Sequence, residues 1–138
     1  MGILKSFIAA VLALVVMAPA ALADSCWWHN GSLMRLVAQG EQRWMYYETP
    51  KQSLWNAGVQ NGTLLFNGWN NNDYYSGTAR VFSRHCVGSP LEYQVAGPVQ
   101  RGGNLTIRME GSREKQSQCY GTGQWTNDVL IFTYAYQC

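Results

Sequence analysis

The sequence predicts an all-β protein, an eight-stranded antiparallel meander that closes into a small barrel and carries two disulfides. Three observations predict this fold. Period-two segments rich in aromatic and β-branched residues recur after residue 23, Gly, Asn and Asp separate them, and the chain has four cysteines. Closing the meander removes exposed sheet edges, so a barrel is favoured, and a two-sheet β-sandwich is the alternative.

Residues 1–23 have the features of a signal peptide. Lys5 precedes an apolar run from Phe7 to Met17, and the segment ends in Ala21-Leu22-Ala23, so cleavage is expected before Asp24. Removing 23 of the 138 residues leaves 115, a length that suits one all-β domain, residues 24–138. The location predicted for this domain is the periplasm or the exterior of the cell.

The charge of the exported part is nearly balanced. Removing Lys5 leaves nine basic and eight acidic residues, a formal charge of +1. No basic stripe is present to bind phosphates, so no nucleic-acid partner is expected. No membrane insertion is expected after cleavage of the signal, because no later stretch is long and apolar enough. We expect a monomer without a cofactor.

Eight segments have strand character, and short turns join most of them. Leu91, Tyr93 and Val95 alternate with polar residues, and the same alternation follows Leu105, so each of these strands has one core face and one solvent face. The longest connection, residues 49–62, is expected to cover one mouth of the barrel with a short helical turn. The eight segments are 32–38, 42–48, 63–68, 74–83, 91–95, 105–110, 119–125 and 129–136.

The four cysteines lie in the exported part, where an even number of cysteines indicates disulfides. The predicted topology places all four at one end of the barrel. Cys26–Cys86 with Cys119–Cys138 is the preferred pairing, and Cys26–Cys138 with Cys86–Cys119 is the alternative. The sequence has no CxxC pair, so no metal site is predicted.

Catalytic signals are weak, and no catalytic residue is predicted. The chain contains no nucleophile-elbow, phosphate-loop or zinc-protease motif. His29 follows two tryptophans and would suit a general base or a ligand contact, but a structural position before the first strand is favoured. Glu92 and Glu110 fall on polar strand faces, which indicates solvated surface charge rather than a catalytic pair. A small hydrolase that uses His29 is therefore the least favoured function.

Aromatic residues are the most unusual feature, since all six Trp and all eight Tyr follow residue 23. Six aromatic residues in the inward phase of their strands are assigned to the core: Trp44, Tyr46, Tyr75, Tyr93, Phe132 and Tyr134. Residues in connections or at strand ends are free for recognition. The loop 69–74 combines rings with amides, which suits carbohydrate hydroxyls. The predicted binding residues are Trp55, Trp69, Asn71, Tyr74 and Trp125.

Three runs, HNGSLMRL at 29–36, GTLLFNG at 62–68 and YSGTARVFS at 75–83, resemble a family of small exported proteobacterial β-proteins with no known activity. This resemblance implies export and independence as a domain. In size, export and meander the chain is also similar to periplasmic lysozyme inhibitors, without their inhibitory motif.

Together these observations predict a non-enzymatic exported binding module. Its loop aromatics would contact a glycan, a small ligand or a protein partner. The alternative is a periplasmic inhibitor of a lysozyme-like cell-wall hydrolase.

Overall fold

The computed structural model describes residues 13–15 and 24–138. Residues 13–15 have no regular secondary structure, and the rest of the predicted signal peptide lies outside the described residues. None of the helices in the described ranges is long and apolar enough to cross a membrane.

Eight antiparallel strands follow one another around a closed barrel, and the first pairs with the last. This topology confirms the predicted barrel and excludes the sandwich. Each strand bonds to its neighbours in sequence, so the chain forms an uninterrupted meander. The strands are β1 (Ser25–His29), β2 (Ser32–Gln39), β3 (Gln42–Thr49), β4 (Leu64–Asn71), β5 (Tyr74–Val81), β6 (Leu91–Gln100), β7 (Thr106–Ser117) and β8 (Tyr120–Gln137).

Eight strands were predicted and eight are present, but two of the predicted strands are parts of a single strand and one observed strand was not predicted. β1 was not expected, and it is the strand that closes the barrel against β8. The two segments expected at 119–125 and 129–136 form the single strand β8, because pairing with the long β7 continues through residues 126–128. The hydrogen bonds to β7 keep these three residues extended, although their polar composition is typical of a turn.

Two-residue turns join several hairpins. Asn30-Gly31 and Asn72-Asp73 both have positive φ at the two central positions, as tight hairpin turns require. The short second turn lets β4 run to Asn71, so Trp69 lies in a strand and not in the predicted loop. The predicted helical turn in the connection 49–62 is confirmed as a 3₁₀ helix, Gln52–Ala57.

The core fills the barrel with apolar side chains that alternate with exposed ones. Its largest fully buried members are Met34, Met45, Phe66, Ile107, Met109 and Phe132. Among the predicted core aromatics, Tyr75, Tyr93 and Phe132 are buried.

Three predicted core aromatics are not in the core. Trp44 and Tyr46 alternate with the buried Met45 and Tyr47, so they lie partly exposed on the outer face of β3. Tyr134 is also exposed, with its ring edge-on to Trp27. The phase of β3 was therefore assigned one residue out of register, which moves every side chain to the other face.

Glycines allow the strands to approach closely on one side of the barrel. A Cβ atom on Gly97 would collide with the carbonyl oxygen of Arg108, and one on Gly111 would collide with that of Gln94. Gly68 and Gly77, paired with each other across β4 and β5, have the same restriction. These four positions leave no room for a side chain.

The disulfides correct the predicted pairing and placement. The bonds are Cys26–Cys138 and Cys86–Cys119, the pairing held as the alternative. They lie at opposite ends of the barrel rather than at one end. The placement prediction was wrong because β1 adds a strand before β2, which puts Cys26 at the other end, and because the merged β8 removes one chain reversal, which puts Cys138 there too.

Candidate functional site

One end of the barrel opens into a cavity of about 180 Å³, here called the barrel mouth. It lies where β1, β3 and β5 end, beneath the 3₁₀ helix. Apolar residues form much of its wall, and Leu54 and Phe82 lie on its rim. The polar residues that line it are His29, Asn30, Tyr47, Arg80, Tyr93, Arg113 and Asp128.

A polar cluster of Tyr93, Arg113 and Asp128 lies within the mouth. The Tyr93 hydroxyl donates to Asp128 Oδ2 over 2.5 Å, and Arg113 Nε donates to the same oxygen over 3.3 Å. Burial, and then the hydrogen bond to Asp128, raise the pKa of Tyr93, so its hydroxyl keeps its proton. Asp128 Oδ1 and both terminal nitrogens of Arg113 make no hydrogen bond within the described residues, so donors and acceptors remain for a ligand.

His29 presents a neutral imidazole to the mouth. Its ring is buried, stacks on Phe132 at 4.4 Å between centroids, and has Nδ1 2.9 Å from the Ile131 carbonyl oxygen. A carbonyl accepts, so Nδ1 carries the hydrogen and Nε2 is an acceptor. Burial lowers the pKa of His29, which keeps the ring neutral. The only contact of Nε2 in the described part of the chain is the Asn30 side-chain amide at 3.4 Å.

Tyr47 adds a hydroxyl with no protein partner. Its ring is buried, edge-on to Phe82 at 6.0 Å between centroids, and burial raises the pKa of Tyr47 to about 12. The hydroxyl makes no hydrogen bond with any residue in the described ranges. The hydroxyl oxygen is not fully buried, so it reaches water in the mouth and is available to a bound molecule.

A second and larger cavity, of about 490 Å³, lies on the other side of the 3₁₀ helix. We call it the Trp55 groove, because the ring of Trp55 is its largest exposed group, with 60% of the residue accessible to solvent. Its lining is Glu48, Thr49, Pro50, Trp55, Val59, Gln60 and Asn61.

The five predicted binding residues do not form one site. Trp55 lies in the groove, and Trp125 lies exposed on β8 opposite Glu114. Trp69, Asn71 and Tyr74 lie at the other end of the barrel, where Asn71 pairs with Tyr74. Of the five, Trp55 alone lines either of these two cavities, and a binding role for the others stays a prediction.

The mouth residues were missed for identifiable reasons. Tyr93 was assigned to the core, and Asp128 was placed in a turn that does not exist. Arg113 could have been found by continuing the alternation of β7, since Ile107 and Met109 face inward and Gly111 and Arg113 follow in the same phase.

Within residues 13–15 and 24–138, no three His, Cys, Asp or Glu residues lie together as metal ligands would.

Comparison with known proteins identifies the fold. No protein-family model matches the sequence, and a search of curated proteins finds no match. Among solved structures, the chain is similar to the crystal structure of intact afifavidin in its apo form. The two share 18% sequence identity with a TM-score of 0.52, and the match covers 84% of this chain and 83% of that one. At this identity the likeness shows the fold alone: the chain has the barrel architecture of afifavidin.

Proposed function

We propose that this chain is an exported, non-enzymatic binding protein that holds a small polar molecule in the barrel mouth. The observation that carries the proposal is the cluster of Tyr93, Arg113 and Asp128 inside the barrel. The side chains of Arg113 and Asp128 are 23% and 34% exposed at the mouth, so each charge has given up part of its hydration, which costs free energy. A ligand that uses the remaining hydrogen-bonding atoms accounts for their presence.

The geometry of the mouth defines the ligand. A volume of about 180 Å³ is that of about six water molecules at about 30 Å³ each, so the bound part is small. The same mouth holds acceptors at His29 Nε2 and Asp128 Oδ1 and donors at Arg113 and Tyr47, which favours a molecule with both donor and acceptor groups. Leu54 and Phe82 on the rim would cover its apolar side.

The solved structure of the same fold supports the proposal, because afifavidin was crystallised there in an apo form, a term that implies a bound state as well. Both disulfides of the described domain support an oxidising compartment, as expected for an exported protein. The hydrolase alternative gains no support from His29, because Nε2 has the Asn30 amide as its hydrogen-bonding neighbour and no nucleophile within the described residues.

Native mass spectrometry of the full chain, expressed with its own N-terminal segment and purified from the exported fraction, tests this function. We expect a non-covalently bound small molecule in the wild-type protein. The variant Arg113→Gln should lose it. Arg108→Gln is the matched control, because Arg108 lies on the outer face of the same strand and pairs there with Glu110 at 3.6 Å.

Two results would contradict the proposal. The first is an adduct retained equally by both variants, which would place the ligand elsewhere. The second is the absence of any adduct together with no thermal shift of the wild-type protein in a library of small polar metabolites.

A further inference from the structure

The Trp55 groove is a rigid, preformed surface. Gly62 N donates to the Tyr47 carbonyl oxygen over 2.7 Å, and the Asn61 side-chain amide donates to the Glu48 carbonyl oxygen over 2.7 Å. Val59 is 1% exposed and anchors the base of the groove in the core. The walls therefore need little ordering when a ligand binds, which reduces the entropic cost of association.

Trp55 is exposed, and it does not hold the 3₁₀ helix against the barrel. The neighbouring Leu54 packs against the core, and Gly58 ends the helix by donating to the Trp55 carbonyl oxygen over 3.0 Å. The indole thus offers a flat apolar face beside a concave surface. Such a face suits a molecule that is itself flat and apolar on one side.

Polar groups line the same groove as this apolar face. The hydroxyl of Thr49, the side-chain amide of Gln60 and Oδ1 of Asn61 make no hydrogen bonds within the described ranges. They provide donors and acceptors together. A ligand that places hydroxyl groups around the edge of an apolar ring would match them.

The charge of the groove favours a neutral ligand. Its lining contains one ionisable residue, Glu48, whose two carboxylate oxygens accept from Arg35 over 2.9 and 3.1 Å. This contact lowers the pKa of Glu48, so the carboxylate stays ionised and paired. Among the residues that the structure describes, no basic side chain lines the groove to attract a phosphate or a carboxylate.

From these features we infer that the Trp55 groove is a second binding site, distinct from the barrel mouth, for a neutral saccharide ring stacked on Trp55. An all-equatorial pyranose directs its C–H bonds to its faces and its hydroxyls to its rim. This chemistry matches a groove that combines the indole face of Trp55 with the polar side chains of Thr49, Gln60 and Asn61. The groove, at about 490 Å³, has the size of known ligand sites and room for more than one ring.

Titration of the ¹⁵N-labelled full-length protein with cellotetraose and with chitotetraose, two β-1,4-linked oligosaccharides of all-equatorial rings, tests the inference. The readouts are the indole N–H resonances and calorimetry. The Trp55 resonance is identified as the one missing from Trp55→Ala. We expect saturable binding of at least one sugar with a shift of this resonance, and a loss of affinity of roughly tenfold or more in Trp55→Ala.

Trp125→Ala is the matched control, since Trp125 is equally exposed and lies outside the groove. It should bind like the wild type, and Trp55→Phe should retain part of the affinity. No perturbation of the Trp55 resonance at millimolar sugar, or equal affinity of Trp55→Ala and wild type, would overturn the inference. Arg113→Gln should leave sugar binding unchanged. A negative result for the saccharide site would therefore be distinguishable from a negative result for the ligand proposed in the barrel mouth.

Discussion

Tyr93 on β6 and Asp128 on β8 are joined by a 2.5 Å hydrogen bond across the barrel mouth, although β7 lies between their strands. The hydrogen bond passes through the interior of the barrel and connects two strands that are not neighbours in the sheet. It therefore links wall positions that backbone pairing does not connect directly.

Replacing Tyr93 by Phe removes this donor and keeps the ring. Because the acceptor is a carboxylate, we expect a loss of roughly 1.5–3 kcal/mol in the free energy of unfolding, measured by urea denaturation. Tyr120→Phe is the control, since Tyr120 is 75% exposed, and it should be near neutral. Equal effects of the two variants would show that the bond to Asp128 contributes no specific stability.

His29 predicts a pH dependence of stability. Burial holds the pKa of His29 below its ordinary value of 6.5, so in mildly acidic solution the unfolded chain binds a proton that the folded chain does not. The free energy of unfolding should therefore fall as the pH decreases through about 6.5 toward the folded-state pKa. Denaturation curves at several pH values between about 8 and 5 measure this slope.

His29→Gln should flatten the same pH profile. The lowered pKa values of Glu48 and Asp73 also make acid destabilising, but from ordinary values of 4.5 and 3.8, so their effect lies at lower pH. A wild-type slope unchanged by His29→Gln would mean that another group titrates in this range.

The two disulfides should contribute unequally to stability. Cys26–Cys138 closes a separation of 112 residues and Cys86–Cys119 one of 33, and chain entropy predicts that the first stabilises by about 1 kcal/mol more. Paired Cys-to-Ser variants, compared by thermal denaturation, test this difference. The reverse order would indicate that structure in the unfolded state dominates the effect of these cross-links.

The close approach at Gly97 predicts a severe effect of a single methyl group. Gly97→Ala should destabilise the barrel by more than about 2 kcal/mol, because its Cβ would collide with the Arg108 carbonyl oxygen on the next strand. Gly102→Ala, in the loop after β6 with open space around its Cβ, is the control and should be nearly neutral. Similar stability of the two variants would show that the strands separate easily at this point.

Much of the fold follows from local patterns. The strict alternation around Tyr93 and Ile107 identified β6 and β7. Local sequence patterns gave wrong predictions where hydrogen bonding between strands distant in sequence determines the structure. β1 is a strand because β2 and β8 pair with it on both sides, and residues 126–128 are extended because β7 continues beside them.

The candidate site was harder to predict than the fold. Period-two reasoning indicates which face a residue occupies, but it does not distinguish a residue in the packed interior from one at an open mouth. Tyr93 was therefore correctly placed inside and given only a packing role, while Asp128, 35 residues later, showed no sign of meeting it. Trp55 was predicted from its exposure in a connection, which is a local property.

The 3₁₀ helix has a consequence for how the two cavities communicate. Leu54 lines the barrel mouth and Trp55, the next residue, lines the groove, so one short helix is a shared wall. By linkage, any effect of a sugar on affinity in the mouth must be matched by an equal effect of the mouth ligand on the sugar. Leu54 and Trp55 are thus the physical link through which either ligand would act on the other.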